Sequence, residues 1–318
     1  MRWKKLGRIF DPTQFALPNG CTHFAQSPQA LVFDDRVRIY FSTRSLEAAT
    51  GKYLSQVAWA DFDKGLGRVL RVSSRAALEL GGLGCFDEHG IFPLSPVRVD
   101  DAVYAYTTGW SRRVSVSVET TIGLAISRDG GERFERVGTG PVLAPSLREP
   151  YLVGDGFVRR FGGRFHMWYI FGTRWKRPVS GGEPERTYKI GHAVSDDGVA
   201  WEKEEGRQIV PDRLGPDESQ ALPTVLRIGD RWHMFFCYRQ SFDFRSNRER
   251  AYRIGHASSG DLEIWERADD DPRLEVEDRG WDADMMCYPN AFECEGRVYL
   301  LYNGNQFGRY GFGAAVLE

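Results

Sequence analysis

Carboxylates, arginines and aromatic residues recur at fixed offsets from a repeated hydrophobic strand, and together they are the set that sugar chemistry uses. With Val37, Val103, Phe165, Trp232 and Val298 taken as equivalent, the residues at −14 are His23, His89, Tyr151, Glu218 and Asp284. Those at −16 are Cys21, Asp87, Glu149, Pro216 and Asp282. Side chains two apart on a strand share a face, so Asp87, Glu149, Glu218, Asp282 and Asp284 are expected to converge. Position +7 gives Arg44, Trp110, Arg239 and Asn305, with Arg174 displaced by two residues in its own copy. Glu88, Tyr288 and Asn303 complete the candidate lining. Cleavage of a glycosidic bond needs a protonated carboxyl for the leaving oxygen and an ionised one to attack or to activate water. Trp and Tyr offer flat faces to sugar rings, while Asn and Arg bind hydroxyls or carboxylates through forked hydrogen bonds.

The elements that must hold these residues are short strands. Five copies of a turn followed by a hydrophobic-aromatic strand begin at Asp34, Asp100, Gly162, Gly229 and Glu295, with steps of 66, 62, 67 and 66 between equivalent positions. Each continues into a small-x-small strand (Ala58-x-Ala60, Gly123-x-Ala125, Gly191-x-Ala193, Gly255-x-Ala257, Gly313-x-Ala315), where missing side chains let sheets approach. In three copies a Ser-x-Asp or Ser-Gly-Asp turn follows and leads to an aromatic: Ser127 to Phe134, Ser195 to Trp201 and Ser259 to Trp265. Asp and Gly supply the side-chain-to-backbone bonds and positive φ of such turns. Four strands in each of five units predict an all-β, five-bladed β-propeller of four antiparallel strands per blade. The last copy runs out at Glu318 before its fourth strand, and Trp3–Ile9 reads like the strand opened by Trp201, so the N-terminal strand is expected to close the ring on the C-terminal blade. A closed ring leaves no linker, so residues 1–318 are read as one domain.

Five repeats, Glu149-Pro150, Glu218, the Ser-x-Asp-Gly turns and Tyr302-Asn303-Gly304-Asn305 resemble the five-bladed propeller glycoside hydrolases, the arabinanase, levansucrase and invertase superfamily. Phe86-Asp87-Glu88-His89-Gly90 and Gly280-Trp281-Asp282 are closer to a group of intracellular glycosidase-like propellers, for which the resemblance implies fold rather than activity. It implies Glu218 as proton donor and Glu149 as the carboxylate that orients the sugar. The superfamily's acidic residue at the start of the first blade is missing, since Cys21-Thr22-His23-Phe24 stands there. Asp87, Glu88 or Asp284 would take its place as partner carboxylate, or His23 as base. The reading is a glycoside hydrolase or transglycosylase acting on a small carbohydrate or sugar conjugate, neutral or anionic. A glycoside phosphorylase, in which arginines hold phosphate and one carboxyl suffices, is the alternative. A non-catalytic sugar or nucleotide-sugar binding propeller is the third.

Composition narrows the setting. Forty-two Lys and Arg against 44 Asp and Glu give a net charge of −2, which supplies no field for nucleic acid or an anionic membrane. No apolar run is long enough to span a bilayer, and no apolar run follows the basic N-terminus as in a secretory signal. Cys21, Cys85, Cys237, Cys287 and Cys294 contain no CxxC pair, which suits reduced thiols in the cytoplasm. No metal and no cofactor are expected. His166 with His233, and His192 with His256, are repeat equivalents and are expected to pack within blades. The stretch 178–186 after Arg174 and the segment Phe242–Arg250 are expected to form loops over the funnel, with arginines suited to an anionic substrate.

Overall fold

The computed structural model describes residues 1–178, 181–271 and 274–318. Twenty strands carry the chain: β1 Trp3–Phe10, β2 His23–Val32, β3 Val37–Leu46, β4 Tyr53–Phe62, β5 Val69–Val72, β6 Gly90–Val99, β7 Ala102–Arg112, β8 Val118–Ser127, β9 Glu135–Arg136 and β10 Val153–Phe161 in the first half. The second half adds β11 Arg164–Lys176, β12 Glu185–Ser195, β13 Glu202–Lys203, β14 Glu218–Ile228, β15 Arg231–Gln240, β16 Arg253–Ser259, β17 Glu266–Arg267, β18 Cys287–Cys294, β19 Arg297–Asn303 and β20 Phe312–Leu317. Consecutive strands pair antiparallel as β2–β5, β6–β9, β10–β13 and β14–β17, and the first two groups touch through one parallel bridge, Ser55 to Gly90. The last group is β18-β19-β20 with β1 on its outer edge, Trp3 opposite Leu317 and Phe10 opposite Phe312.

The first strands of the units, β2, β6, β10, β14 and β18, each pack on the next, and β18 packs back on β2. Hydroxyls and amides tie neighbouring units at these strands. Ser42 Oγ donates to the Ile91 carbonyl (2.8 Å), Thr120 Oγ1 to that of Val153 (2.8 Å), and the Ala291 amide to Thr224 Oγ1 (3.0 Å). Between the last unit and the first, Asn303 accepts from the Ser27 amide (2.7 Å) and donates to the Ala25 and Gly311 carbonyls, both at 2.8 Å. Such bonds satisfy backbone groups that a bulged inner strand cannot pair within its own sheet.

The turns are built as their composition dictates. Ser195 Oγ accepts from the Gly198 amide (2.8 Å) while Asp197 accepts from those of Val199 and Ala200 (2.8 and 2.9 Å). Tyr106 of the preceding unit then donates to the Gly198 carbonyl (2.9 Å), and Tyr40 makes the matching bond to Gly131 (2.6 Å). The small-x-small strands leave room for rings: a Cβ at Gly255 would lie 2.6 Å from the Phe236 ring. The repeat-equivalent histidines stack as pairs inside the third and fourth units, His166 with His192 (3.1 Å between ring nitrogens) and His233 with His256 (2.9 Å). Among the described residues no helix is long and apolar enough to cross a membrane.

Candidate active site

Each inner strand breaks its ladder at the same point. Register shifts fall between His23 and Gln29, Ile91 and Leu94, Gly154 and Phe157, Ala221 and Thr224, and Cys287 and Asn290. The residue ten before each aligned strand position sits at this bulge. It is left-handed at Ser27 (φ 53°), Asp155 (φ 52°), Leu222 (φ 46°) and Tyr288 (φ 58°), and in the second unit it is Pro93, joined to Phe92 by a cis bond. A bulge re-aims the side chain it carries, and Asp155 and Tyr288 line a central cavity of about 350 Å³. Gly154 and Gly156 make the approach possible for Asp155: a Cβ at Gly154 would meet the Thr108 methyl at 2.9 Å, and one at Gly156 would meet Ile122 at 3.0 Å.

Asp155 is the one carboxylate among the described residues lining this cavity, against four arginines, Arg44, Arg186, Arg239 and Arg245. Its own amide donates to Thr108 Oγ1 (2.7 Å), and its Oδ2 accepts from the Leu222 amide (3.3 Å), the neighbouring unit's bulge residue. Burial pushes its pKa up to about 7, against the smaller pull of that amide and of Arg186. A carboxyl half-protonated near neutrality, with its second oxygen free of protein partners among the described residues, can give a proton to a substrate atom. Aromatic rings form the remaining wall. Tyr288 lies edge-on to Phe92 (5.1 Å) and tilted against Tyr252 (5.7 Å), Tyr252 shares a 2.5 Å hydrogen bond with Tyr188, and Arg239 donates to the Tyr188 hydroxyl (3.0 Å). Burial raises the pKa of Tyr252 and Tyr288 well above the usual phenol value, so both stay neutral.

Of the residues expected to line the funnel, Arg44, Trp110, Arg239 and Tyr288 do so. Phe244 and Arg245 from the Phe242–Arg250 loop join them, as does Arg186 at the end of the 178–186 stretch, of which residues 179 and 180 lie outside the described residues. Four of the expected carboxylates are instead held in buried ion pairs with the fourth strand of their own unit. Asp87 accepts from Arg136 on β9 (Nε at 3.0 Å), Glu149 from Lys203 on β13, Glu218 from Arg267 on β17 (2.6 Å), and Asp282 from Lys5 on β1 (2.8 Å). Glu149 also accepts from Tyr169 (2.8 Å) and the Gly206 amide (3.0 Å), and Glu218 from the amides of Arg213 and Leu214 (both 2.8 Å). All four are at most 2% exposed and none borders the cavity. Glu149 and Glu218 have both oxygens engaged with a cation and donors of their own unit, which fixes the segment entering it, whereas Asp87 keeps Oδ1 buried without a partner. The match is visible in the sequence as an aromatic-x-cation triplet in every one of these outer strands: Phe134-x-Arg136, Trp201-x-Lys203, Trp265-x-Arg267 and Trp3-x-Lys5.

The other expected residues take separate places. Asn303 is wholly buried in the joint between the last unit and the first. Asp284 is exposed, and Asn305 accepts from its amide (2.7 Å) while donating to the Gly280 carbonyl (3.0 Å). Arg174 binds Asp217 and donates to the Pro216 carbonyl (2.9 Å). His23 is exposed beside Thr22 (2.9 Å). Glu88 and His89 line a second groove with Arg112 and Glu119, and His89 stacks on Trp110, ring centroids 6.0 Å apart. Among the described residues no three His, Cys, Asp or Glu side chains are grouped as metal ligands. Asp155 itself is absent from the sequence expectations. Gly154-Asp155-Gly156 carries the composition of a turn, yet it lies inside strand β10.

No protein-family model matches the chain. Among solved structures it is similar to one described as a glycoside hydrolase, with a TM-score of 0.74 and 17% identity over 99% of this chain and 91% of that one. It is also similar to the β-1,2-mannobiose phosphorylase of Listeria innocua, with a TM-score of 0.68 and 14% identity over 100% of this chain and 97% of that one. These likenesses are of fold. In sequence it is 36% identical over 320 residues, 100% of both chains, to the uncharacterized protein Rv1502 of Mycobacterium tuberculosis strain H37Rv, and equally to its counterpart MT1551 in strain CDC 1551. At that identity over its full length, the chain belongs to the family of these mycobacterial proteins.

Proposed function

We propose that the chain is a single-domain, five-bladed propeller and a carbohydrate-active enzyme that cleaves a glycosidic bond by transfer to phosphate, with Asp155 as its proton donor. One observation carries this reading: among the described residues the central cavity is lined by a single carboxyl, half-protonated near neutral pH, together with four arginines. Hydrolysis by either of the usual routes takes two carboxyls about 5–9.5 Å apart. Where the second is missing, an oxyanion held by guanidinium groups can be the nucleophile. A phosphate oxygen would then form a bond to the anomeric carbon as the C–O bond to the leaving sugar breaks. The Asp155 proton passes to the departing oxygen, and the products are a sugar 1-phosphate and a free alcohol. Arg239 and Arg186, on the units that carry and hold Asp155, are the cations for that phosphate. Trp110, Tyr188, Tyr252 and Tyr288 provide stacking faces for the sugar.

A similar fold in a β-1,2-mannobiose phosphorylase supports the reaction class. Another similar structure is described as a mannoside phosphorylase family that contains hydrolases, so both outcomes occur on this architecture. In this reading Asp87, Glu149, Glu218 and Asp282 hold the frame. All five cysteines are unbridged, which fits a reducing cytoplasm. The test is product analysis over a panel of glycosides with and without inorganic phosphate. Sugar 1-phosphate formed only with phosphate, and lost in Asp155→Asn, is the expected result. Free sugar formed equally without phosphate would make the enzyme a hydrolase, and turnover surviving Asp155→Asn would remove Asp155 from the chemistry.

A further inference from the structure

Three arginines of the frame have carboxylates: Arg38 meets Asp61 at 2.7 Å, Arg136 meets Asp87 and Arg267 meets Glu218 at 2.6 Å. Arg44, on the second strand of the first unit, has none. Among the described residues its guanidinium has no hydrogen-bond or ion-pair partner, and its Nε is buried without an acceptor. It lies over the rings of Phe24 (4.7 Å) and Tyr53 (5.7 Å) and borders the cavity. Burial lowers its pKa, with only Tyr288 and Tyr53 opposing. A desolvated cation left without an anion costs free energy that a ligand carrying the opposite charge recovers.

Arg44 is also apart from the phosphate set. Arg186 is the cation acting on Asp155, and Arg239 donates to the Tyr188 hydroxyl, which shares a hydrogen bond with Tyr252. Tyr252 and then Tyr288 continue that wall, and Tyr288 is, with Tyr53, one of the two tyrosines that act on Arg44. An aromatic surface thus runs between two separate cationic positions. We infer that the cavity holds two oxyanions at once, and that Arg44 receives one belonging to the sugar itself, so the substrate is an acidic glycoside whose ring lies along Tyr288 and Tyr252. This deepens the reading of the cavity as a glycoside site and rests on it. The charged group is a carboxylate, as in a uronosyl residue, or a phosphate ester on the sugar.

Equilibrium binding tests this without turnover. Titration calorimetry and thermal shift, in buffers free of phosphate, would compare glucuronate, galacturonate and mannuronate, and glucose and mannose 6-phosphates, with the neutral parent sugars, on wild type, Arg44→Met and Arg44→Lys. The best acidic ligand is expected to bind wild type roughly tenfold or more tighter than its neutral parent, less so at high salt. Arg44→Met should erase that ratio, Arg44→Lys should restore part of it, and inorganic phosphate should still stabilise Arg44→Met. Tighter uronates would assign a carboxylate, and tighter 6-phosphates a phosphate ester. Since Arg44 has no anion to leave behind, ligand-free Arg44→Met should melt at or above the wild-type temperature. A lower melting temperature would make Arg44 structural. Equal binding of acidic and neutral sugars to wild type, or an equal loss of phosphate, neutral and acidic ligands in Arg44→Met, would overturn the inference. Phosphorolysis of neutral glycosides at full rate would sink it while sparing the reaction. Acidic ligands bound through Arg44, with no product from any glycoside, would sink the reaction instead.

Discussion

Replacing Asp155 by an asparagine separates burial of an acid from its use. The side chain's pKa is raised from 3.8 to about 7 because it is desolvated. About three units correspond to roughly 4 kcal/mol between the two protonation states. The sign follows from linkage: the folded state binds this proton more tightly than the unfolded one, so the contribution is favourable below pH 4 and lost as pH rises to about 7. The amide of the variant would mimic the protonated acid at every pH. Urea unfolding of both proteins from pH 4.5 to 8.5, in buffers without phosphate, should therefore give a small stability difference at the acid end. That difference should grow to a few kcal/mol in favour of the variant at pH 8. Turnover of the same variant should fall by about 10²–10⁴-fold, the range for loss of a general acid. A pH-independent stability difference would mean that Asp155 is not desolvated as described. Turnover within tenfold of wild type would refute its role as the donor.

Other expectations follow from the frame and the cavity wall. Glu149→Gln should destabilise the fold by about 3–5 kcal/mol in urea unfolding, because Lys203 is left buried without its anion, and Glu149→Gln with Lys203→Met should recover much of the loss. If the folded fraction of Glu149→Gln lost more than tenfold in turnover, that carboxylate would belong to the chemistry. Burial lowers the pKa of His233 to about 4, so its contribution to stability is complete above pH 6.5 and is lost as pH falls towards 4. His233→Phe should flatten that acid limb in a melting-temperature series, and an unchanged limb would place the proton elsewhere. Trp110→Ala should raise KM about 2–13-fold with a smaller change in kcat, as expected for a stacking face worth about 0.5–1.5 kcal/mol. Removing residues 1–10 should cost cooperative unfolding, seen as a broadened melting transition, because β20 loses its outer partner and Asp282 its lysine.

The repeat is legible in the sequence because turns and aromatic strands obey local rules, and the same alignment places Arg44, Trp110 and Arg239 on the cavity. The carboxylates fail to converge for a physical reason. Counting back by twos assumes one unbroken strand, whereas each inner strand bulges around position −10, and Asp87, Glu149, Asp282 and Asp284 lie before their strands begin at Gly90, Val153 and Cys287. Repetition itself also misleads. A carboxylate recurring in four of the units, at −16 or −14, answers a need those four share, a cation on the outer strand. Asp155 has a Ser, a Pro, a Leu and a Tyr as its equivalents. Its flanking glycines read as a hairpin, and only tertiary packing against Thr108 and Ile122 turns them into a strand.

The ring of bulges separates what the axis carries from what the frame requires. Hydroxyls, amides and backbone carbonyls hold the inner strands, and those bonds do not depend on which side chain occupies the kinked position. The five positions behave as interchangeable sockets: one now holds an acid, one a phenol, one a hydroxyl and two apolar groups. If the chain is the five-bladed enzyme proposed above, moving the acid to another socket would turn the bond being broken by about a fifth of a revolution around the axis while leaving those hydroxyl and amide bonds in place, the Asp155–Leu222 bond excepted. A chain built this way can change its reaction by exchanging residues that its folding scarcely consults.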